Sequence, residues 1–285
     1  MSGTSQQVFL GKNGLWADAL YDFFNKRLRI DDYRGNVRKL VDVSLQIALE
    51  HKFEKIIVKT RQEHILTLLE CGFVHEGVIR NYFNGSDSHF LCHYISVARR
   101  TSKDWCYEDE ILRSIQVKGR SNYAASIPYG YQIRKAEERD AEQLARLYGT
   151  VFSVYPTPLQ KGDYVKHVMN NGTVFYVIER KNKIVSAASA EINETYHNAE
   201  LTDCATLREH RKHGLMKHLL LHLETELRQR KIFCAYSLAR AKSPGMNAVL
   251  YHLGYSYGGR LANNCYISED LEDMNIWMKD LSRSS

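Results

Sequence analysis

Ala199-Glu200-Leu201-Thr202-Asp203-Cys204-Ala205-Thr206-Leu207 is followed by Arg208-Glu209-His210-Arg211-Lys212-His213-Gly214, and then by a segment with apolar residues at Met216, Leu219, Leu220, Leu223 and Leu227. The first piece is strand-like. The last has one continuous apolar stripe at helical spacing. A basic loop ending in glycine therefore opens a helix. The start of a helix exposes unpaired backbone N–H groups and carries partial positive charge. A glycine at that point lets the backbone come close to a phosphate. Arg211, Lys212 and His213 add charge and donors, giving an anion cradle suited to a pyrophosphate. From these residues alone, a charged loop capping an ordinary helix is an equally good reading.

The surrounding elements follow by pattern. Upstream, residues 131–135 alternate as a strand, 137–148 carry a helical pattern that breaks at Pro156, and 163–169 form a short second helix. Residues 173–178, 184–192 and 199–207 are strands, the first two joined by a turn at Lys181-Asn182-Lys183. Downstream, 232–238 is a strand and Ser243-Pro244-Gly245 starts a helix that runs to His252. Strands near 255–261 and 273–278 follow. The order over residues 130–285 is β-α-α-β-β-β-α-β-α-β-β.

The N-terminal part echoes this. Residues 41–49 read as a helix, 55–59 as a strand and 64–69 as a helix. Gly72-Phe73, Gly77 and Asn81 match Gly254-Tyr255, Gly259 and Asn263 at one offset of 182 positions. The expectation is a smaller, degenerate α/β domain over residues 1–100, a linker over 101–129 and a complete domain over 130–285.

Bulk properties limit the function. Hydrophobic residues at 44%, charged residues at 25% and only four prolines indicate a folded soluble chain. No apolar run reaches membrane-spanning length and residues 1–14 lack a signal pattern, so a cytoplasmic protein without a membrane partner is expected. The net charge of +6 suits an anionic ligand, but no Lys/Arg block or nucleic-acid motif is present. The six cysteines include no C-x-x-C pair and the histidines lack ligand spacing, which argues against disulfides and a metal site.

The loop and its setting resemble the GNAT superfamily of N-acetyltransferases, whose pyrophosphate loop reads [RQ]-x-x-G-x-[GA]. Here the stretch is Arg211-Lys212-His213-Gly214-Leu215-Met216, with Met216 in place of the last small residue. Leu250-Tyr251-His252-Leu253-Gly254-Tyr255 matches the family's later helix and the Gly-aromatic pair after it. A closer resemblance is to beta-lysine N-acetyltransferases, carried by Val154-Tyr155-Pro156, by residues 200–206, by Gly259-Arg260-Leu261-Ala262-Asn263-Asn264 and by Glu272-Asp273-Met274-Asn275-Ile276-Trp277.

The resemblance implies the GNAT fold, a mixed central sheet flanked by helices, with acetyl-CoA as co-substrate, no metal and a small-molecule amine as acceptor. Ala205, Thr206, Leu207, Arg211, Lys212, His213, Gly214, Leu215, Met216 and Asn247 are the expected cofactor contacts. An alkyl ammonium has a pKa of about 10.4, so the neutral amine at pH 7 costs about 4.6 kcal/mol and a base is needed. Glu200 matches the family's base position. Asp203, three residues on, is expected on the opposite strand face and is assigned to substrate amine binding. Tyr251 matches the family's general acid. Tyr155, Asn263, Asn264 and Asn275 are expected around the acceptor, with a bulge or turn as the other reading of Asn263-Asn264. The N-terminal part lacks an R-x-x-G-x-G loop, so its expected role is support of the acceptor pocket or a homodimer interface. A diverged, non-catalytic acyl-CoA-binding module is the rival to an enzyme.

Overall fold

The computed structural model describes residues 5–12, 14–120, 126–267 and 270–282. The N-terminal half runs β1 (Ser5–Lys12), β2 (Leu15–Asp22), β3 (Arg27–Gly35), α1 (Val37–Glu50), β4 (Lys55–Thr60), α2 (Ile65–Glu70), β5 (Val74–Phe83) and β6 (Ser86–Tyr94). Two helices, α3 (Val97–Arg100) and α4 (Trp105–Val117), lead into the C-terminal half. That half comprises β7 (Gln132–Lys135), α5 (Ala141–Val151), α6 (Gly162–Asn170), β8 (Val174–Arg180), β9 (Lys183–Asn193), β10 (Asn198–Thr206), α7 (Leu215–Gln229), β11 (Cys234–Arg240), α8 (Pro244–His252), β12 (Ser256–Ile267) and β13 (Asp270–Asp280). The element order expected for residues 130–285 is the order found. Limits differ where side-chain chemistry intervenes. The first turn of the helix expected from residue 137 is a separate 3₁₀ turn, Glu138–Asp140, closed by a reciprocal Glu137–Asp140 capping box.

Among the described residues all strands join one 13-stranded sheet, ordered β1-β2-β3-β4-β6-β5-β12-β13-β11-β10-β9-β8-β7. Apart from the extra edge strand β7, each half contributes the same sub-order from its outside inward: β1-β2-β3-β4-β6-β5 in one, β8-β9-β10-β11-β13-β12 in the other. Each has its parallel neighbours at the same place, β3 with β4 and β10 with β11. The halves meet where β5 pairs with β12 at Gly77↔Gly259. These are two of the glycines related by the 182-residue offset. Equivalent positions face one another across the join, as in a dimer with approximate two-fold symmetry. Glycine is required here: a Cβ on Gly259 would lie 2.3 Å from the Glu76 carbonyl oxygen and 2.5 Å from the Gly77 Cα, at a φ of +132°.

The C-terminal core follows the alternation of β10. Ala199 and Leu201 pack under Leu219, Leu220 and Leu223 of α7. On the other face Leu144, Leu147 and Tyr148 of α5 cover Phe175, Val177 and Ala187. A third apolar cluster, including Ile57, Phe90, Tyr236 and Ile276, fills the junction between the halves. The segment expected to be a linker is largely structured. Helix α4 buries Ile111, Leu112 and Ile115. The Arg260 guanidinium from β12 lies 4.7 Å over the Trp105 ring and within 2.9 Å of Asp109. None of the described helices is long and apolar enough to cross a membrane.

Candidate functional site

Strands β10 and β11 are paired only from Asn198↔Cys234 to Glu200↔Tyr236. Beyond that point both continue, β10 to Thr206 and β11 to Arg240, without pairing to each other. The strands splay apart and a cavity of about 670 Å³ opens in the gap. Its walls include Leu201, Thr202, Asp203 and Thr206 from β10, Ser237 and Arg240 from β11, and Met246 and Val249 from α8. The Leu207 N–H donates to Val185 on β9. Because successive N–H groups of a strand alternate in direction, the Thr206 N–H points the other way, into the splay. The Arg211 Nε binds the Thr206 carbonyl on that side at 3.2 Å.

The far end of the cavity is the start of α7, where Arg211, Lys212, Gly214, Leu215 and Met216 line the wall. Lys212 and Gly214 both have positive φ, +67° and +70°. No side chain caps this helix and its first turn holds no acidic residue. Exposed amide donors, the helix dipole and two cationic side chains converge there, which is the chemistry a diphosphate requires. In α1, by contrast, the Asn36 side chain accepts from the Lys39 N–H and occupies the corresponding position.

At the other end, one carboxylate is held in place. The Tyr155 hydroxyl donates to Asp203 Oδ1 at 3.0 Å and the Ser189 hydroxyl to Oδ2 at 2.7 Å. Tyr155 is itself stacked on Phe152 at 4.5 Å. Both Asp203 and Tyr155 line the cavity. The expectation that Glu200 and Asp203 point to opposite faces does not hold. A β-bulge between Thr202 and Ala205, with Asp203 at φ +52°, shifts the phase of the strand. Asp203 thus reaches Ser189, two residues from Glu191 on β9, and Glu191 stands directly opposite Glu200. Three carboxylates share one face.

That face looks toward the N-terminal half. Burial pushes the Glu200 carboxyl up, and the charges of Lys59 and Arg29 oppose the shift. Burial raises Asp203 too, against the pull of its Ser189 and Tyr155 hydrogen bonds. Glu191, whose side chain stays open to solvent at the mouth of the cleft, is raised by desolvation and then by the charges of Asp203 and Glu200. Sequence reasoning allowed the N-terminal part a role in supporting the acceptor pocket but named none of its residues. The signal was present in β3, where Arg29 and Asp31 interrupt an apolar run at alternate positions.

Other expected residues lie elsewhere. Asn247 is fully buried; its Oδ1 accepts from Asn275 and Trp277, and its Nδ2 donates to the Arg240 and Ser243 carbonyls. Asn275 also accepts from Arg260 Nε at 2.9 Å. Both amides organise the α8–β13 packing rather than lining the cavity. Asn263 and Asn264 sit in a bulge of β12, with Asn263 at φ +43°. Their segment faces the N-terminal half: the Asn264 carbonyl accepts from Arg27 and Arg99, and the Ala262 carbonyl from Lys55. This is the bulge reading, serving as a clasp between halves. Tyr251, Ala205, Leu207, His213 and Glu200 are not among the cavity-lining residues. Tyr251 packs on Trp277 with Arg120 over its ring, and His213 lies against Tyr131. Among the described residues no three His, Cys, Asp or Glu side chains are placed to share a metal ion, and all six cysteines are free thiols.

With this geometry established, known proteins supply comparisons. The acetyltransferase (GNAT) family model matches residues 139–255. N-acetyltransferase YodP of Bacillus subtilis is 42% identical, over 94% of this chain and 98% of its own. Beta-lysine N(6)-acetyltransferase of Methanosarcina mazei is 36% identical over 88% of this chain and 100% of its own. The enzyme of the same name from Methanococcus maripaludis is 31% identical over 90% and 93%.

Proposed function

We propose, starting from the fact that this chain belongs to the GNAT acetyltransferase family and is an acetyl-CoA-dependent N-acetyltransferase, that its acceptor is the terminal amine of a small diamino acid, beta-lysine (3,6-diaminohexanoate), which becomes N-epsilon-acetyl-beta-lysine. The observation that carries this reading is the carboxylate set Asp203, Glu200 and Glu191 on one face, with Asp203 lining the splay between β10 and β11. Such a set attracts ammonium groups and offers a proton acceptor beside the thioester. Similarity over nearly the whole chain to two proteins named beta-lysine N(6)-acetyltransferase supports the choice of amine.

Acetyl-CoA fits the groove. Its diphosphate meets Arg211, Lys212 and the uncapped amides from Gly214 to Met216, and its thioester reaches the splay. There the Thr206 N–H points toward the acyl carbonyl and stabilises the charge that develops on it. Asp203 takes the proton of the substrate ammonium; it lines the cavity and Glu200 does not. The nitrogen attacks and sheds its second proton to solvent as the amide forms, the C–S bond breaks, and the departing thiolate takes a proton from the Tyr155 hydroxyl. Asp203, at 3.0 Å from that hydroxyl, returns the proton it received. Glu200 and Glu191 hold the acceptor's cationic groups.

The test is turnover of acetyl-CoA with a panel of amines, read as free thiol and as acetylated product. Beta-lysine is expected to give the highest kcat/KM, ahead of alpha-lysine and simple diamines. Binding of acetyl-CoA without turnover of any amine would refute the reading.

A further inference from the structure

Opposite the three carboxylates, the N-terminal half presents a second charged set. Arg29 and Asp31 are two apart on β3. Arg29 pairs in register with Ile57 on β4, two residues before Lys59. All three side chains therefore share one face. Asp31 binds both cations: its oxygens accept from Arg29 Nε and Nη2 at 2.8 Å, and from Lys59 Nζ at 2.8 Å. The two cations hold the Asp31 carboxyl well below its ordinary range, although burial works the other way. Lys59 is spent internally, donating also to the Tyr82 hydroxyl. Arg29 is not. Asp31 takes one edge of its guanidinium, and among the described residues Nη1 donates to no protein atom. Its side chain remains 30% accessible. The set lies near Glu200: Tyr82, bonded by Lys59, packs 5.6 Å from Tyr236, which is in register with Glu200.

A guanidinium has five donors, and the free edge of one already oriented is a ready receptor for a carboxylate. We infer that Arg29, oriented by Asp31, binds the carboxylate of the acceptor, so that the N-terminal half selects an amino acid over a plain amine. The inference rests on the acceptor reading above. Arg29 is a binding and specificity residue; Asp31 and Lys59 are positioning residues that fix its plane.

The experiment compares two acceptors in the same variants: beta-lysine and a diamine of matching chain length without the carboxylate. Loss of a charge-assisted contact of this kind is expected to raise KM about 10- to 100-fold. In Arg29→Gln that rise is expected for beta-lysine, with little change for the diamine and none in acetyl-CoA affinity. Arg29→Lys keeps the charge but loses the fork and is expected to recover part of the discrimination. The ratio of the two KM values is taken within each protein, so a general loss of stability does not mimic the effect. An equal change for both acceptors, or no change for either, overturns the inference and leaves the acceptor reading standing. Failure of the unsubstituted protein to acetylate beta-lysine, with the diamine as good or better, overturns both.

Discussion

Gly259→Ala tests whether the β5–β12 join holds the two halves in register. The new methyl group would sit 2.3 Å from the Glu76 carbonyl oxygen and 2.5 Å from the Gly77 Cα. Both are backbone atoms, so no side chain can swing away. The φ of +132° is itself unfavourable for an L-residue, by roughly 1–3 kcal/mol. Relieving the overlap costs roughly another 1–3 kcal/mol. The combined loss is about 2–6 kcal/mol. A chain of this length unfolds with an entropy of about 0.6 kcal/mol/K, so the melting temperature falls by about 3–10 °C. Gly77→Ala provides the contrast. Its φ carries no penalty and its nearest obstacles are the end of Ile276 at 2.6 Å and the Gly258 carbonyl at 2.8 Å. Only the steric part applies, about 1–3 kcal/mol. Scanning calorimetry should therefore rank unsubstituted protein above Gly77→Ala above Gly259→Ala. The acetyl-CoA groove lies wholly within residues 151–274, so affinity for acetyl-CoA should persist while kcat/KM for the diamino acid drops. A Gly259→Ala protein melting within about 1 °C of the parent would refute the close-approach argument.

Asp203→Asn keeps the shape of the side chain and removes the proton acceptor, so kcat should fall about 10²- to 10⁴-fold with acetyl-CoA affinity unchanged. Because burial raises the Asp203 and Glu200 carboxyls, the rising limb of the kcat/KM profile should lie above the ordinary carboxylate range; a limb at the usual carboxylate pH would count against this pair. Glu108 on α4 is fully buried and pushed up to about 8, first by desolvation and then by the Asp273 carboxyl, with Arg260 and Lys242 opposing. An acid whose pKa is higher in the folded state disfavours folding as pH rises from the unfolded value toward the folded one. Glu108→Gln should therefore gain stability relative to the parent between about pH 5 and pH 8, and equal melting-temperature differences at both ends would exclude the shift.

What the sequence revealed and what it hid divide along physical lines. The α7 stripe is visible because its 3.6-residue period extends from Met216 to Leu227, with Leu219, Leu220, Leu223 and Leu227 buried and Met216 partly so. The start of α8 is visible because Ser243 caps it before a proline. The bulge at Asp203 was not visible: a single residue with positive φ leaves no periodic trace, yet it moves a carboxylate from one sheet face to the other. The four asparagines were misjudged for a related reason. A polar residue in an apolar strand signals that some partner exists, not whether the partner is a ligand or a backbone. The Asn263 side chain donates to the Arg99 backbone carbonyl in the other half, and the Arg27 and Arg99 side chains bind the backbone carbonyl of Asn264 rather than its side chain. The β1–β2–β3 meander was overlooked because Asp18, Arg29 and Asp31 break the apolar pattern of its strands.

The equivalence of the halves bears on why the proposed acetyl-CoA groove is present in only one of them. In the N-terminal half β3 and β4 stop pairing after Ile30↔Val58, while β3 continues to Gly35, so the same splay begins. It is filled. The Tyr33 hydroxyl bonds Thr60 at 2.5 Å and His64 at 2.8 Å, and Tyr33 is buried. Asn36 caps the helix that follows and accepts from the Lys39 N–H, whereas no side chain caps α7. What this half retains is the face bearing Arg29, Asp31 and Lys59, turned toward the carboxylates of its twin. With one groove open and the other filled, the proposed site is asymmetric, one half gripping acetyl-CoA and the other reading the acceptor. One acetyl-CoA per chain is the stoichiometry this requires. Calorimetry giving two sites per chain would show that the plug at Tyr33 opens and that the division of labour is not built into the fold.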